Sequence, residues 1–299
     1  MSLSGSLRLQ GLVFSALALA LTLLVVMLPA RGTAFETVLL ATLIFVLGIP
    51  HGALDVIFAK RLYHLASFVA WSMFCLAYVA LAAAVVGAWW LFPGAFLILF
   101  LLASAFHFSG DLSDGAPLLM RLWYSGSMLV FPAWFHQAEV ARLFGALVPG
   151  DVAWPLAQAL HAMALPWCAG LVVTLIVQGR GHSVSSMEML SVGLLAAVAP
   201  PLLSFTVFFC AMHSARHAIR SRAFAAHLAW RDLLKKVAVP RGFCALVGLL
   251  VWPTLQLLPL DTAVGRILFV ALAALTVPHM VLIEQIRWAG WTNPQSPGV

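Results

Sequence analysis

Apolar residues in this chain do not alternate with polar ones. They run on for about twenty positions at a time and stop at short polar or proline-bearing intervals, the pattern of helices that cross roughly 30 Å of hydrocarbon. The same continuity excludes a transmembrane barrel, whose strands need period-two alternation. The runs predict spans over 9–30, 36–58, 65–87, 89–109, 118–136, 154–178, 185–199, 202–221, 241–258 and 265–286. No low-complexity linker separates them, so the expectation is one all-α, polytopic integral membrane domain over 1–299. The polar tail Thr292–Val299 holds two prolines and reads as disordered.

Pro200-Pro201 decides the topology. A proline pair loses helical hydrogen bonds and pushes the preceding residue out of the α region, so 185–211 is either one damaged pass or two shorter ones. With two passes, Arg31, Arg142 and Arg266 fall on one face and every other Lys and Arg on the opposite face. With one pass the basic residues spread over both. The positive-inside rule favours the split. The expected bundle therefore has about ten helices (8–10) with both termini cytoplasmic, although 185–199 is short and holds Glu188. Residues 9–30 are too apolar for too long to be a cleaved signal and read as a retained first span.

Composition agrees. Hydrophobic residues make up 63%, charged ones 9%, and mean hydropathy is +1.04. Ordinary soluble domains carry about a quarter charged residues. The net charge of +6 and pI near 9.6 fit basic loops against anionic lipid rather than nucleic acid, which is not expected as a partner. Cys75, Cys168, Cys210 and Cys244 sit apart in apolar surroundings, with no CxxC pair, and read as small core residues.

Against this background the histidines stand out. His213 and His217 are four apart, at the end of the apolar run Leu202–Ala211, and on a helix they share a face. His51, His107 and His279 also lie inside apolar runs. In the split topology all five fall past the midpoint of spans running towards the cytoplasm, at similar depth. Ionisable or metal-binding groups there are costly, which makes a shared functional site the working hypothesis. Neutral imidazole ligates Zn, Cu, Fe and Ni. Asp55 follows His51 by four and Asp111 follows His107 by four, an i,i+4 spacing that offers each imidazole an acceptor for its second N–H. The same pairs could fix helix rotation by hydrogen bonding or serve a proton path. His279, after Pro278, is a candidate ligand or a group just behind the ligands. His64, His182 and His227 lie near basic loops, and His136 and His161 fall towards the opposite face. Phe106, Phe108, Phe205, Phe208 and Phe209 flank the histidine helices, as core packing or as walls for a long apolar ligand. The tryptophans sit mostly near span ends, as in an aromatic belt.

His-Gly-Ala-Leu-Asp at 51–55, His-Phe-Ser-Gly-Asp at 107–111, Met-His-Ser-Ala-Arg-His at 212–217 and Pro-His-Met at 278–280 resemble the Brp/Blh family of membrane β-carotene 15,15′-dioxygenases associated with microbial rhodopsins. The resemblance runs from about residue 40 to residue 288. One departure is Phe108-Ser109-Gly110, where the family has His-Phe-Gly or His-Trp-Gly. It implies a multi-pass inner (plasma) membrane protein that cleaves β-carotene with O2 at the central double bond, giving two all-trans-retinal. It also implies Fe(2+) on His51, His107, His213 and His217, and a rhodopsin as recipient of the retinal. A metal-ion or proton transporter using intramembrane His and Asp is the alternative of a different class, although no internal repeat is evident. A di-iron hydroxylase would need more histidine boxes than this chain has.

Overall fold

The computed structural model describes residues 2–28, 34–48, 52, 55–112, 116–225, 238, 242 and 245–288, and every regular element among them is helical. In chain order these are α1 (Leu3–Met27), α2 (Ala34–Leu43), α3 (Asp55–Leu62), α4 (Phe68–Leu91), α5 (Pro93–Phe108), α6 (Leu118–Val130), α7 (Pro132–Gly145), α8 (Gly150–Gln178), α9 (Ser183–Val198), α10 (Pro201–Val207), α11 (Ala215–Phe224), α12 (Ala245–Leu255) and α13 (Leu260–Trp288). Their boundaries follow from local chemistry. Ser2 and Ser67 cap α1 and α4, their hydroxyls accepting from Gly5 N and Ala70 N at 3.2 and 3.1 Å. Pro93, Pro132 and Pro201 open α5, α7 and α10, where a missing N–H costs nothing.

Two apolar helices end in π turns, Ile44–Gly48 after α2 and Phe208–Ser214 between α10 and α11. A π turn widens the helix and releases carbonyls that need other donors. Gln10 of α1 supplies one, its Nε2 donating to Ala211 O at 2.8 Å. The two π turns also meet: Ser214 Oγ donates to Gly48 O at 3.3 Å, and a Cβ on Gly48 would strike the Phe209 ring.

Helices α1, α4, α8 and α13 are long and apolar enough to cross a membrane. They differ in what surrounds them. None of the α4 residues is buried, although its mean hydropathy is 2.2, so its apolar surface is turned outward, as a lipid-facing helix requires. In contrast, α9 is shorter and buries Glu188, Met189, Ser191, Val192 and Leu195 between α1 and α6. The largest core cluster joins α1, α6, α9 and α10 around Phe14, Met120, Tyr124, Met189, Leu195 and Phe208.

The break at Pro200 matches the sequence reading: α9 stops at Val198 and α10 starts at Pro201. One break differs from it. The stretch 118–136 is divided at Phe131, because Pro132 cannot donate into the preceding turn. Trp123, expected in an interfacial belt, instead packs edge-on to Trp167 between α6 and α8, at 4.5 Å, with Gly126 and Gly170 making room for the rings. The tail Thr292–Val299 lies outside the described residues.

Candidate metal centre

Four helical segments bring one imidazole each to the same place. His107 is in the last turn of α5, His213 in the π turn, His217 on α11 and His279 on α13, one residue past Pro278. The His107 ring lies 4.8 Å from that of His213 and 5.4 Å from that of His279, and the His217 ring lies 5.0 Å from that of His279. The Nε2 atoms of all four are buried. His279, a secondary candidate in the sequence, thus stands in the middle of the group. His51 lies outside the described residues.

Asp111 meets a different imidazole from the one four residues before it, and Asp55, whose expected partner His51 is not among the described residues, meets His279. Asp111 accepts from His213 Nδ1 at 2.8 Å, and Asp55 accepts from His279 Nδ1 at 2.7 Å. The reason is local. Helix α5 ends at Phe108, and Ser109-Gly110 turn the chain, so Asp111 is no longer on the His107 face and reaches across to the π turn. Asp55 starts α3, where it meets α13. Each pair fixes one ring: with Nδ1–H on the carboxylate, the buried Nε2 keeps a lone pair. An Asp55 oxygen lies within 4.8 Å of ligand atoms of His217 and His279 as well. Both Asp55 oxygens have partners, Oδ1 in His279 and Oδ2 in the Tyr78 hydroxyl at 3.1 Å.

The turn that bears Asp111 is held by three arginines. Arg121 Nε donates to Ser109 O and Arg220 Nη1 to Gly110 O, both at 2.9 Å, and Arg216 Nη1 donates to Asp111 O. Arg216 is 1% exposed. Its charge is met by Glu188 of α9 at 2.6 Å, and its Nε donates to Gln10 Oε1 at 2.8 Å. A Cβ on Gly11 would run into both the Glu188 carboxylate and the Arg216 guanidinium, so the close approach of α1 is part of the clamp. Nothing in the sequence reading assigned Arg216, Glu188, Gln10 or Tyr78 to this site. The available signal was Glu188 itself: a lone carboxylate in an apolar span calls for a buried cation.

Beside the imidazoles lies an apolar cleft, partly open to the outside, with His107 and His213 in its wall. The rest is largely hydrocarbon, including Leu97, Phe100, Leu101, Phe108, Met128, Phe144, Phe205, Phe209, Phe269 and Leu272. Phe108, Phe205 and Phe209 therefore face the cleft. Phe208 lies behind them, against Phe108 and Tyr124. Phe106 is 51% exposed and is not part of the wall.

The remaining histidines that are described lie apart from the group. His136 Nε2 and His161 Nδ1 meet the carbonyls of Val198 and Ala133 at 3.0 and 2.9 Å. His64 forms a turn with φ 50°, and His182 precedes α9. Cys75, Cys168 and Cys210 are free thiols. His227, Cys244 and the side chain of Trp288 fall outside the described residues. The donor set suits a borderline divalent ion such as iron: clustered buried imidazoles, two of them oriented by carboxylates, next to an apolar cleft.

The family model described as Beta-carotene 15,15'-dioxygenase matches residues 42–287 of this chain. A protein of an uncultured marine bacterium, 66A03, named Beta-carotene 15,15'-dioxygenase, is 29% identical over 264 residues, covering 83% of this chain and 92% of that protein. No solved structure matches.

Proposed function

The chain belongs to the beta-carotene 15,15'-dioxygenase family, and from that premise we propose that it is a membrane-embedded, non-haem iron dioxygenase. In this reading it opens the central 15,15′ double bond of β-carotene with O2 to give two all-trans-retinal. The observation that carries the proposal is the shared wall: His107 and His213 belong both to the imidazole group and to the lining of an apolar cleft. Imidazoles in the wall of an apolar cleft support the reading of a metal site that faces a polyene.

Iron would be held by His107, His213, His217 and His279, with His51 joining them on the strength of the family motif. Bound there, Fe(2+) would supply the redox chemistry that lets O2 react with a hydrocarbon. The protein's own residues do the rest. Asp111 and Asp55 fix the tautomer and rotation of His213 and His279, so that Nε2 faces inward without reorganisation. The phenylalanine walls exclude water and align the chain of the substrate by contact alone, because a hydrocarbon offers nothing to hydrogen-bond.

About ten spans with cytoplasmic termini, in the inner (plasma) membrane, complete the proposal. The lipid bilayer would then deliver carotene directly to the cleft, and a microbial rhodopsin would receive the retinal. Expression in a carotene-producing bacterium tests the activity. The expected result is loss of orange colour with retinal accumulating, and iron in the purified protein. Full bleaching by His213→Ala, or active protein free of iron, would refute it.

A further inference from the structure

The cleft wall has two hydroxyl side chains, Ser104 and Thr276, in otherwise apolar surroundings beside the imidazoles. Their places are related. Ser104 precedes His107 by three residues on α5, and Thr276 precedes His279 by three on α13. Residues three apart share a helix face, so each hydroxyl sits about one turn from a clustered imidazole, on the side that borders the cleft.

Hydroxyls in apolar helices ordinarily donate to a carbonyl three or four residues back. Ser109, Ser204 and Thr206 do so at 2.6, 3.0 and 2.7 Å. Ser104 and Thr276 make no hydrogen bond of this kind among the described residues. A hydroxyl facing a hydrocarbon-lined space is costly unless the occupant brings an acceptor, and β-carotene brings none.

The products do. On the reading above, cleavage breaks the C15=C15′ bond and the O–O bond and forms two C=O bonds, consuming one O2 with no further reductant. An oxygen acceptor appears on each scissile carbon, where the substrate had only C–H, and this happens beside the imidazoles. Oxygen on the terminal rings of a substituted carotenoid could not serve, because the rings lie at the far ends of the polyene. We infer that Ser104 and Thr276 form a product subsite whose hydroxyls donate to the newly made aldehyde oxygens. The inference rests on the cleavage reading and adds residues to it.

The test is binding of all-trans-retinal to the purified full-length protein under argon, where no turnover occurs. Binding is read by tryptophan quenching and compared with that of the same polyene bearing methyl in place of the aldehyde. Ser104→Ala and Thr276→Val should each weaken retinal about fivefold, and the double variant about tenfold or more, with the hydrocarbon probe changed less than about twofold. Ser104→Thr and Thr276→Ser should keep retinal affinity. The C=O stretch of bound retinal, lowered by a donor in the wild type, should return to its free value in the double variant. Ser104→Ala removes a single oxygen and carries the comparison alone if Thr276→Val fails to fold. Equal loss of both probes, or retinal bound as tightly by folded variants as by wild type, overturns the subsite. A wild type that bleaches carotene while its variants bind retinal normally refutes the subsite and leaves the cleavage reading standing. A wild type that never bleaches carotene but binds retinal through these hydroxyls refutes the cleavage reading and leaves an aldehyde site.

Discussion

Two carboxylates steady two imidazoles in this protein, and they are themselves steadied in opposite ways. Asp55 opens α3, so the helix sets its position and one phenol, Tyr78, is enough to hold its second oxygen. Asp111 lies in a turn past the end of α5, where no helix fixes it. Its turn borrows three arginines, and the deepest, Arg216, brings a charge that Glu188 must neutralise in the interior. A support built on a helix thus needs little help. One built on a turn recruits distant elements, here α1 through Gln10 and Gly11 and α9 through Glu188.

The largest effect expected from this contrast is at Arg216. Arg216→Ala strands the Glu188 carboxylate in the interior and should cost about 3–5 kcal/mol of stability, read by unfolding in detergent. The double variant Arg216→Met with Glu188→Leu removes the stranded charge. It should recover most of the stability but not iron retention, because the Asp111 carbonyl still lacks its donor. Recovery of both would mean that the clamp only packs the bundle.

Next in size, Asp111→Asn should lower iron affinity about 10- to 100-fold in a chelator competition, the range for groups that orient a metal-bound imidazole. Asp55→Asn belongs near the lower end of that range, since α3 keeps the side chain in place. The smallest effect is expected at Tyr78→Phe, about two- to fivefold in the same assay. A loss there as large as that of Asp111→Asn would erase the distinction between helix-borne and turn-borne support.

Much of this was legible in the sequence, for definable reasons. Long apolar runs have one helical solution in lipid, and Pro200-Pro201 announces its own break. The convergence of four imidazoles was legible too: His107, His213, His217 and His279 were expected to share one site, and they meet. The partner of Asp111 was not, because i,i+4 reasoning assumes that the helix continues, whereas Ser109-Gly110 end it before Asp111. The π turn at Phe208–Ser214 was hidden for a related reason. Its extra residue per turn is stabilised by Gln10, more than two hundred positions away, and local propensity carries no trace of that. Phe106 and Phe208 flank the histidines in sequence, but which face of a uniformly apolar helix meets the cleft is settled by packing alone.

The central claim is that the clustered imidazoles hold an iron that cleaves carotene. Iron content and carotene loss, measured on the same purified samples of wild type, His213→Ala and His161→Ala, test it most directly. His161 provides the control, since it lies on α8 with its ring on the Ala133 carbonyl. The account predicts about one iron per chain and retinal formation in the wild type and in His161→Ala, with both lost in His213→Ala. Iron and activity surviving in His213→Ala would contradict it.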